Sequence, residues 1–264
     1  MNEIVLFAFV GFFAQLIDGA LGMAYGVISM SVLLGMGVPP SAASASIHTA
    51  EIFTTGISGF SHMMFKNIDY RLFRRLIIPG VLGSILGALL LSYIPAKMIK
   101  PFISAYLFLM GGIILYKAIR EMHWMDKVRN LINKALEREK RSHHPYRVIP
   151  LGFIGGFCDA VGGGGWGSIV SSSLLAQDES DPHYTVGTAN LAEFFTALSS
   201  SIIFFAAIGI PHWRIVVGLV IGGAIAAPLA AFAIRYLPPR IVMFLAGSLI
   251  ILISIYMTVI RFLK

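Results

Sequence analysis

The chain has 264 residues, of which 57% are hydrophobic and only 12% charged, and it carries a net charge of +7. No soluble domain of this size needs that much apolar surface, and apolar runs near the ~20 residues that cross a hydrocarbon core recur along it. The positive balance is not a nucleic-acid signal: eight of the twenty Lys and Arg fall within Arg120–Arg147 and four within Lys66–Arg75, the clustering of cytoplasmic loops beside anionic headgroups.

Backbone inside a bilayer must satisfy its own hydrogen bonds, so the runs read as helices. The first, 4–17, follows no basic n-region and no cleavage motif, and is expected to be a membrane segment rather than a signal peptide. Further segments fall at 22–37, 41–63, 72–93 and 97–119. After the basic stretch the pattern resumes at 148–159, 163–177, 182–209, 213–236 and 239–262. The first two segments of each half are short for full crossings at ~1.5 Å per residue. They flank Gly19–Gly26 and Gly162–Gly167. A run such as Gly162-Gly163-Gly164-Gly165 disfavours regular helix, since each Gly costs about 1 kcal/mol relative to Ala. These pairs are expected to be helices broken at membrane depth.

The two halves match each other. Asp18, Gly22, Tyr25 and Gly26 correspond to Asp159, Gly163, Trp166 and Gly167 at an offset of 141. Ala50-Glu51 and Phe53-Thr54 correspond to Ala192-Glu193 and Phe195-Thr196 at 142, and His48 to Asn190. Tyr70-Arg71 matches Trp213-Arg214, and Tyr93 with Pro95 matches Tyr236 with Pro238. The expected architecture is an all-α polytopic membrane protein of two homologous repeats, 1–119 and 148–264, joined by a basic cytoplasmic linker, 120–147. In the linker Trp124, Val128, Leu131 and Ala135 share one face of an amphipathic, surface-lying helix. Each repeat holds a broken-helix pair plus about three full crossings. If the broken pair returns to its own side, the repeats are inverted and both termini lie outside; if it crosses once, they are parallel. Broken helices favour the inverted case.

Four acids sit inside the apolar stretches: Asp18, Glu51, Asp159 and Glu193. A carboxylate there costs a few kcal/mol or more and is a functional candidate by default. Asp18 and Asp159 end their segments just before the glycines, where the helix dipole disfavours an anion. They are read either as proton-coupling or gating acids, or as caps on the unwound glycine amides. His48 and Glu51 lie three apart on one helix face, as do Asn190 and Glu193. They line a polar pathway with Glu as proton carrier, or serve as interhelical polar glue. The amides of Gly163, Gly164 and Gly165, with Trp166 and Ser168, offer a nest for an anion, and Gly22 with Tyr25 is the counterpart. Arg71 and Arg214 each follow an aromatic near a segment start and read as interfacial anchors. Soluble-enzyme motifs are absent, so no catalytic residue, cofactor or metal is expected. His143-His144 lacks partner cysteines, and the single Cys158 cannot form an internal disulfide.

The break carrying Asp18–Gly26, repeated as Asp159–Gly167, and the following His48-x-x-Glu51 and Asn190-x-x-Glu193, resemble the TauE/SafE family of membrane permeases. The resemblance spans nearly the whole chain, with the linker least alike. It implies transport of small sulfur oxyanions or organosulfonates across a cell membrane, with the lipid bilayer and the anion as partners. One departure is the first break, Gly-Ala-Leu-Gly-Met-Ala-Tyr-Gly, which has fewer glycines than the second. The primary expectation is a proton-coupled secondary transporter, exporting a sulfur-containing anion from a midplane site between the breaks. The absence of Lys or Arg deep in the segments stands against anion binding. It supports the alternative, a cation channel or exporter using the four carboxylates. Substrate, direction, coupling ion and the presence of a homo-oligomer are not fixed by the sequence.

Overall fold

A computed structural model of the chain describes residues 3–21, 23–120, 145–176, 182–209, 212–233 and 239–262. Gly22, Tyr236, Pro238 and most of the expected linker helix, including His143-His144, lie outside the described residues. Among the described residues there are ten helices and no strand. In order they are α1 (Glu3–Leu21), α2 (Tyr25–Gly35), α3 (Pro40–Met64), α4 (Tyr70–Tyr93), α5 (Ala96–Arg120) and α6 (Pro145–Gly162). Then come α7, a π-helical run Trp166–Ser171 continued by Ser172–Ala176, α8 (Pro182–Ile208), α9 (Trp213–Ala233) and α10 (Pro239–Phe262). All ten expected segments are present. The difference is in α1 and α6, which run through their aspartates to 19 and 18 residues. At 1.5 Å per residue each is about 28 Å long, so the short members of the broken pairs are α2 and α7.

Tyr70–Tyr93, Ala96–Ile119 and Tyr184–Ile208 are each long and apolar enough to cross a membrane, and α9 and α10 hold shorter apolar windows. Lipid-facing surfaces are visible directly. On α4, Ile78, Leu82, Leu86 and Leu90 are exposed at every fourth residue. On α10, Phe244, Leu245, Leu249, Leu252, Ile255 and Tyr256 form a similar stripe. Water would not tolerate such contiguous apolar surface on a monomer, whereas acyl chains are its natural solvent. By contrast α2 is buried nearly all round, with Met30 and Leu33 fully inside, as expected of a central helix.

The packing is reciprocal. Helix α1 lies along α9, α4 along α6, α5 against α10 and α3 against α8. Small residues permit this closeness. Gly222 sits on Ala8 and Phe12, and Gly11 on Leu219; across the molecule Gly83 sits on Phe153 and Phe157, and Gly156 on Gly80. Helices α3 and α8 run antiparallel, since Gly56 meets Phe194, Gly59 meets Leu191 and Gly187 meets His62. The turn between α3 and α4 is fixed by Asp69, whose carboxylate caps α4 by accepting from Arg71 N (2.8 Å) and Leu72 N (3.1 Å). Its own amide donates to Thr188 on α8 (2.9 Å).

Candidate functional site

Both helix breaks converge at the centre. Gly163 and Gly164 take φ of +67° and +156°, values that L side chains rarely adopt. The backbone of Gly164 rests on that of Gly26, and a Cβ on either would collide with the other strand of backbone. In the first break Ala24 takes φ 107°, an alanine held in left-handed conformation, one position further along than Gly164 in the matched sequence. Tyr106 of α5 donates its hydroxyl hydrogen to Gly164 O (2.8 Å), and Ser44 of α3 donates to Ala160 O (2.6 Å).

The two aspartates cap these breaks. Asp159 Oδ1 accepts from Gly165 N (2.7 Å) and Trp166 N (2.9 Å), and Asp18 Oδ1 accepts from Tyr25 N (3.1 Å). Helix starts leave orphan amides that must find acceptors where water is absent. Here the chain supplies its own anion, so two amides of the second nest are already satisfied.

Beside the crossing lies a cavity of about 270 Å³. Of the residues singled out in the sequence, Asp18, Tyr25, Glu51, Gly164, Gly165, Ser168, Asn190 and Glu193 line it. His48 and Asp159 lie behind the wall, both fully buried. Gly163 is also off the wall, and Trp166 is buried against Gly80 with its Nε1 donating to Ala189 O (3.0 Å). Trp166 therefore holds α7 to α8 rather than facing the cavity. His48 Nδ1 is 3.1 Å from Glu51 Oε2, and its Nε2 is 3.8 Å from Asp159 Oδ2. Asn190 does not reproduce this on the other side; its Nδ2 donates to Ser58 Oγ on α3 (2.8 Å).

The remaining wall includes Gln15, Thr54, Thr55, Ser58 and His62, which sequence reasoning did not single out. Their signal was periodic: positions 51, 54, 55, 58 and 62 form one polar face of α3. Among the described residues no Lys or Arg lines the cavity. Arg214 sits at the surface, paired with Glu3 (2.9 Å) and with its guanidinium 5.7 Å from the Trp213 ring centre, which is an anchoring arrangement. His48, Glu51 and Asp159 offer ligand atoms within 4.8 Å of one another. The two ring nitrogens, however, face different carboxylates, and one ion at metal–nitrogen distances of about 2.0–2.1 Å cannot use both.

Exposed apolar stripes, a core of broken helices and a central polar cavity with intramembrane acids define a membrane transporter. The family model described as "Sulfite exporter TauE/SafE" matches residues 7–257. The chain is 41% identical over 256 residues to the "Probable membrane transporter protein YtnM" of Bacillus subtilis (strain 168), covering 96% of this chain and 82% of that protein. The chain belongs to the TauE/SafE family. No solved structure matches it.

Proposed function

We propose that this protein is a proton-coupled secondary transporter of small sulfur-containing anions, built from two inverted repeats, with its substrate site in the central cavity. The observation that carries the reading is that cavity: polar, lying at the meeting of two helix breaks, and lined by Asp18, Glu51 and Glu193. The substrate class comes from the family, whose description names sulfite. A site between broken helices near the midplane is the general plan of secondary transporters.

The inverted arrangement is supported by the reciprocal packing, in which helix one of each half lies on helix four of the other. The antiparallel contact of α3 with α8 favours it over parallel repeats. Equivalent helices meeting around a twofold axis along the membrane normal would run parallel. Only an axis in the membrane plane turns one against the other. The cavity follows α3 from Glu51 toward His62 and α8 from Glu193 back to Val186. That direction leads to the α3–α4 loop with Lys66 and the first turns of α4 with Arg71, Arg74 and Arg75, the side the charge pattern assigns to the cytoplasm. The cavity then opens inward, as loading an exporter requires.

Coupling follows from electrostatics. An anion about 5 Å from one ionised carboxylate at an effective dielectric near 20 is opposed by roughly 3 kcal/mol. With three carboxylates and, among the described residues, no Lys or Arg on the wall, an anion enters most readily with protons on the acids. The Ser58 hydroxyl and the second amide hydrogen of Asn190 supply donors, and the hydroxyls of Thr54, Thr55 and Ser168, which donate to backbone carbonyls, would turn from them to reach a substrate. Substrate and protons are then loaded together, and the acids release the protons on the other face.

A cation pathway is the second reading, favoured by the acid-rich wall. Proteoliposome flux separates them. The expected result is pH-gradient-driven movement of labelled sulfite, thiosulfate, taurine or sulfoacetate, and no flux of mono- or divalent cations. Cation flux with no sulfur-anion flux would overturn the anion reading. Side-specific reporters on the termini test the repeats: both outside is expected, and both in the cytoplasm would reject inversion.

A further inference from the structure

We infer that His48 is a proton-relay residue linking the cavity acid Glu51 to Asp159, the cap of the opposite repeat's helix break. The inference rests on the proton-coupled reading above and goes beyond it by naming the route.

The geometry is a line of three groups. Glu51 reaches the cavity with one face and His48 with the other. The ring lies between two carboxylates, Nδ1 toward Glu51 and Nε2 toward Asp159, and its exposure is nil. Among the described residues, His48 Nδ1 and Nε2, Glu51 Oε2 and Asp159 Oδ2 have no other hydrogen-bond partner. Buried polar atoms are almost always satisfied, so four orphans facing one another mark a cluster meant to share protons. The 3.1 Å contact is at hydrogen-bond distance though poorly aligned, and the 3.8 Å contact closes with a ring shift of roughly 1 Å. From the helices packed around His48, α6 presents Asp159 and α8 presents the apolar ring of Phe204, 6.2 Å away. The ionisable groups acting on it among the described residues are Glu51 and Asp159.

The step balances. Protonated Glu51 passes its proton from Oε2 to Nδ1 while the Nε2 proton passes to Asp159 Oδ2. Glu51 ends as carboxylate, Asp159 as acid, and the ring stays neutral in its other tautomer. Reverse transfer or a ring flip resets it. Asp159 Oδ1 holds Gly165 N and Trp166 N, and a neutral acid accepts more weakly than a carboxylate. A proton taken from the cavity thus loosens the second break, whose Gly164 rests on the first. The equivalent place in the other half is Asn190, which cannot carry a proton, so the relay exists once.

The test uses the full chain in proteoliposomes with sulfite, thiosulfate, taurine and sulfoacetate as probes. Internal pH is followed with a trapped dye, and binding by thermal shift of the purified protein. H48N copies the residue of the other half. D159N keeps an acceptor for the two amides but cannot take the proton as a carboxylate does. Each is expected to lower pH-driven flux and its accompanying proton movement by at least ~10-fold, on the scale of lost proton transfer, with thermal stabilisation by the probe retained. H48N combined with D159N should be no worse than either alone, because both cut one path. Wild-type coupling in either folded variant overturns the relay while leaving the transporter reading intact. A wild-type protein that moves none of the probes with protons overturns both.

Discussion

The two halves carry equivalent acids in different surroundings. On one side Asp159 is fully buried and caps two amides, with His48 between it and Glu51. On the other, Asp18 caps one amide and lines the cavity, and Asn190 turns away from it to Ser58. The second break turns through Gly163 and Gly164 at positive φ, whereas among the described residues of the first the positive φ falls on Ala24, the counterpart of Gly165. The matched positions therefore differ in setting: one acid is buried and doubly capped, the other open to the cavity. In the reading proposed above, one half holds the proton route and the other more of the substrate wall.

The largest test of that contrast is removal of the caps. Asp159→Ala leaves two buried amides without an acceptor, at about 1–3 kcal/mol each, so a loss of roughly 2–6 kcal/mol and poor folding are expected. Asp18→Ala frees one amide, and about 1–2 kcal/mol should be lost. Thermal or denaturant unfolding in detergent measures both; equal losses would dissolve the distinction.

Gly164→Val comes next. The added side chain meets Gly26 backbone and also cannot adopt φ +156° comfortably, so the protein should lose its folded core rather than merely its ligand. Gly112→Ala on α5, with open space around its Cβ, should instead be neutral or stabilising by up to about 1 kcal/mol. Detergent-resistant monodispersity after mild heating discriminates the two.

Glu51→Gln and Glu193→Gln should each cut proton-driven flux by about 10²-fold while sparing probe binding, since Gln keeps the shape and donor capacity but carries no proton. The asymmetry sharpens here. Glu51→Gln should flatten the pH dependence of flux more than Glu193→Gln, because only Glu51 faces His48. Equal pH profiles for both variants would mean that the halves titrate alike. The smallest effect is expected for Ala24→Gly, which relieves left-handed strain worth about 1 kcal/mol and should raise the unfolding midpoint slightly.

Much of this was legible without coordinates because it depends on local pattern. Ten apolar segments, two glycine breaks and four intramembrane acids follow from composition and spacing along the chain, and the ten helices of the described residues fall where those segments do. The extension of α1 and α6 through their aspartates was not legible. Where a helix ends depends on which later amides close its last turn, as Gly164 N does on Asp159 O, and only the folded break shows that. Gly163–Gly165 looked like an anion nest for the same reason: a sequence lists donors but not who occupies them. Trp166 beside the break suggested a ligand contact, and only packing against Gly80 and Ala189 showed a buried brace.

What the sequence alone determined is the solvent and the period. Bilayer chemistry forces apolar helices, and the two halves match at named positions at offsets of 141 to 143. What only the tertiary structure decided is adjacency across the repeats. His48 meets Asp159 at a separation of 111 residues, and Asn190 meets Ser58 at 132. Those contacts arise from the interlocked packing of α1 on α9, α4 on α6 and α3 on α8, which no local period encodes. A carboxylate's role is set by the groups within a few ångströms of it, so the site's chemistry became readable only once those neighbours were in place.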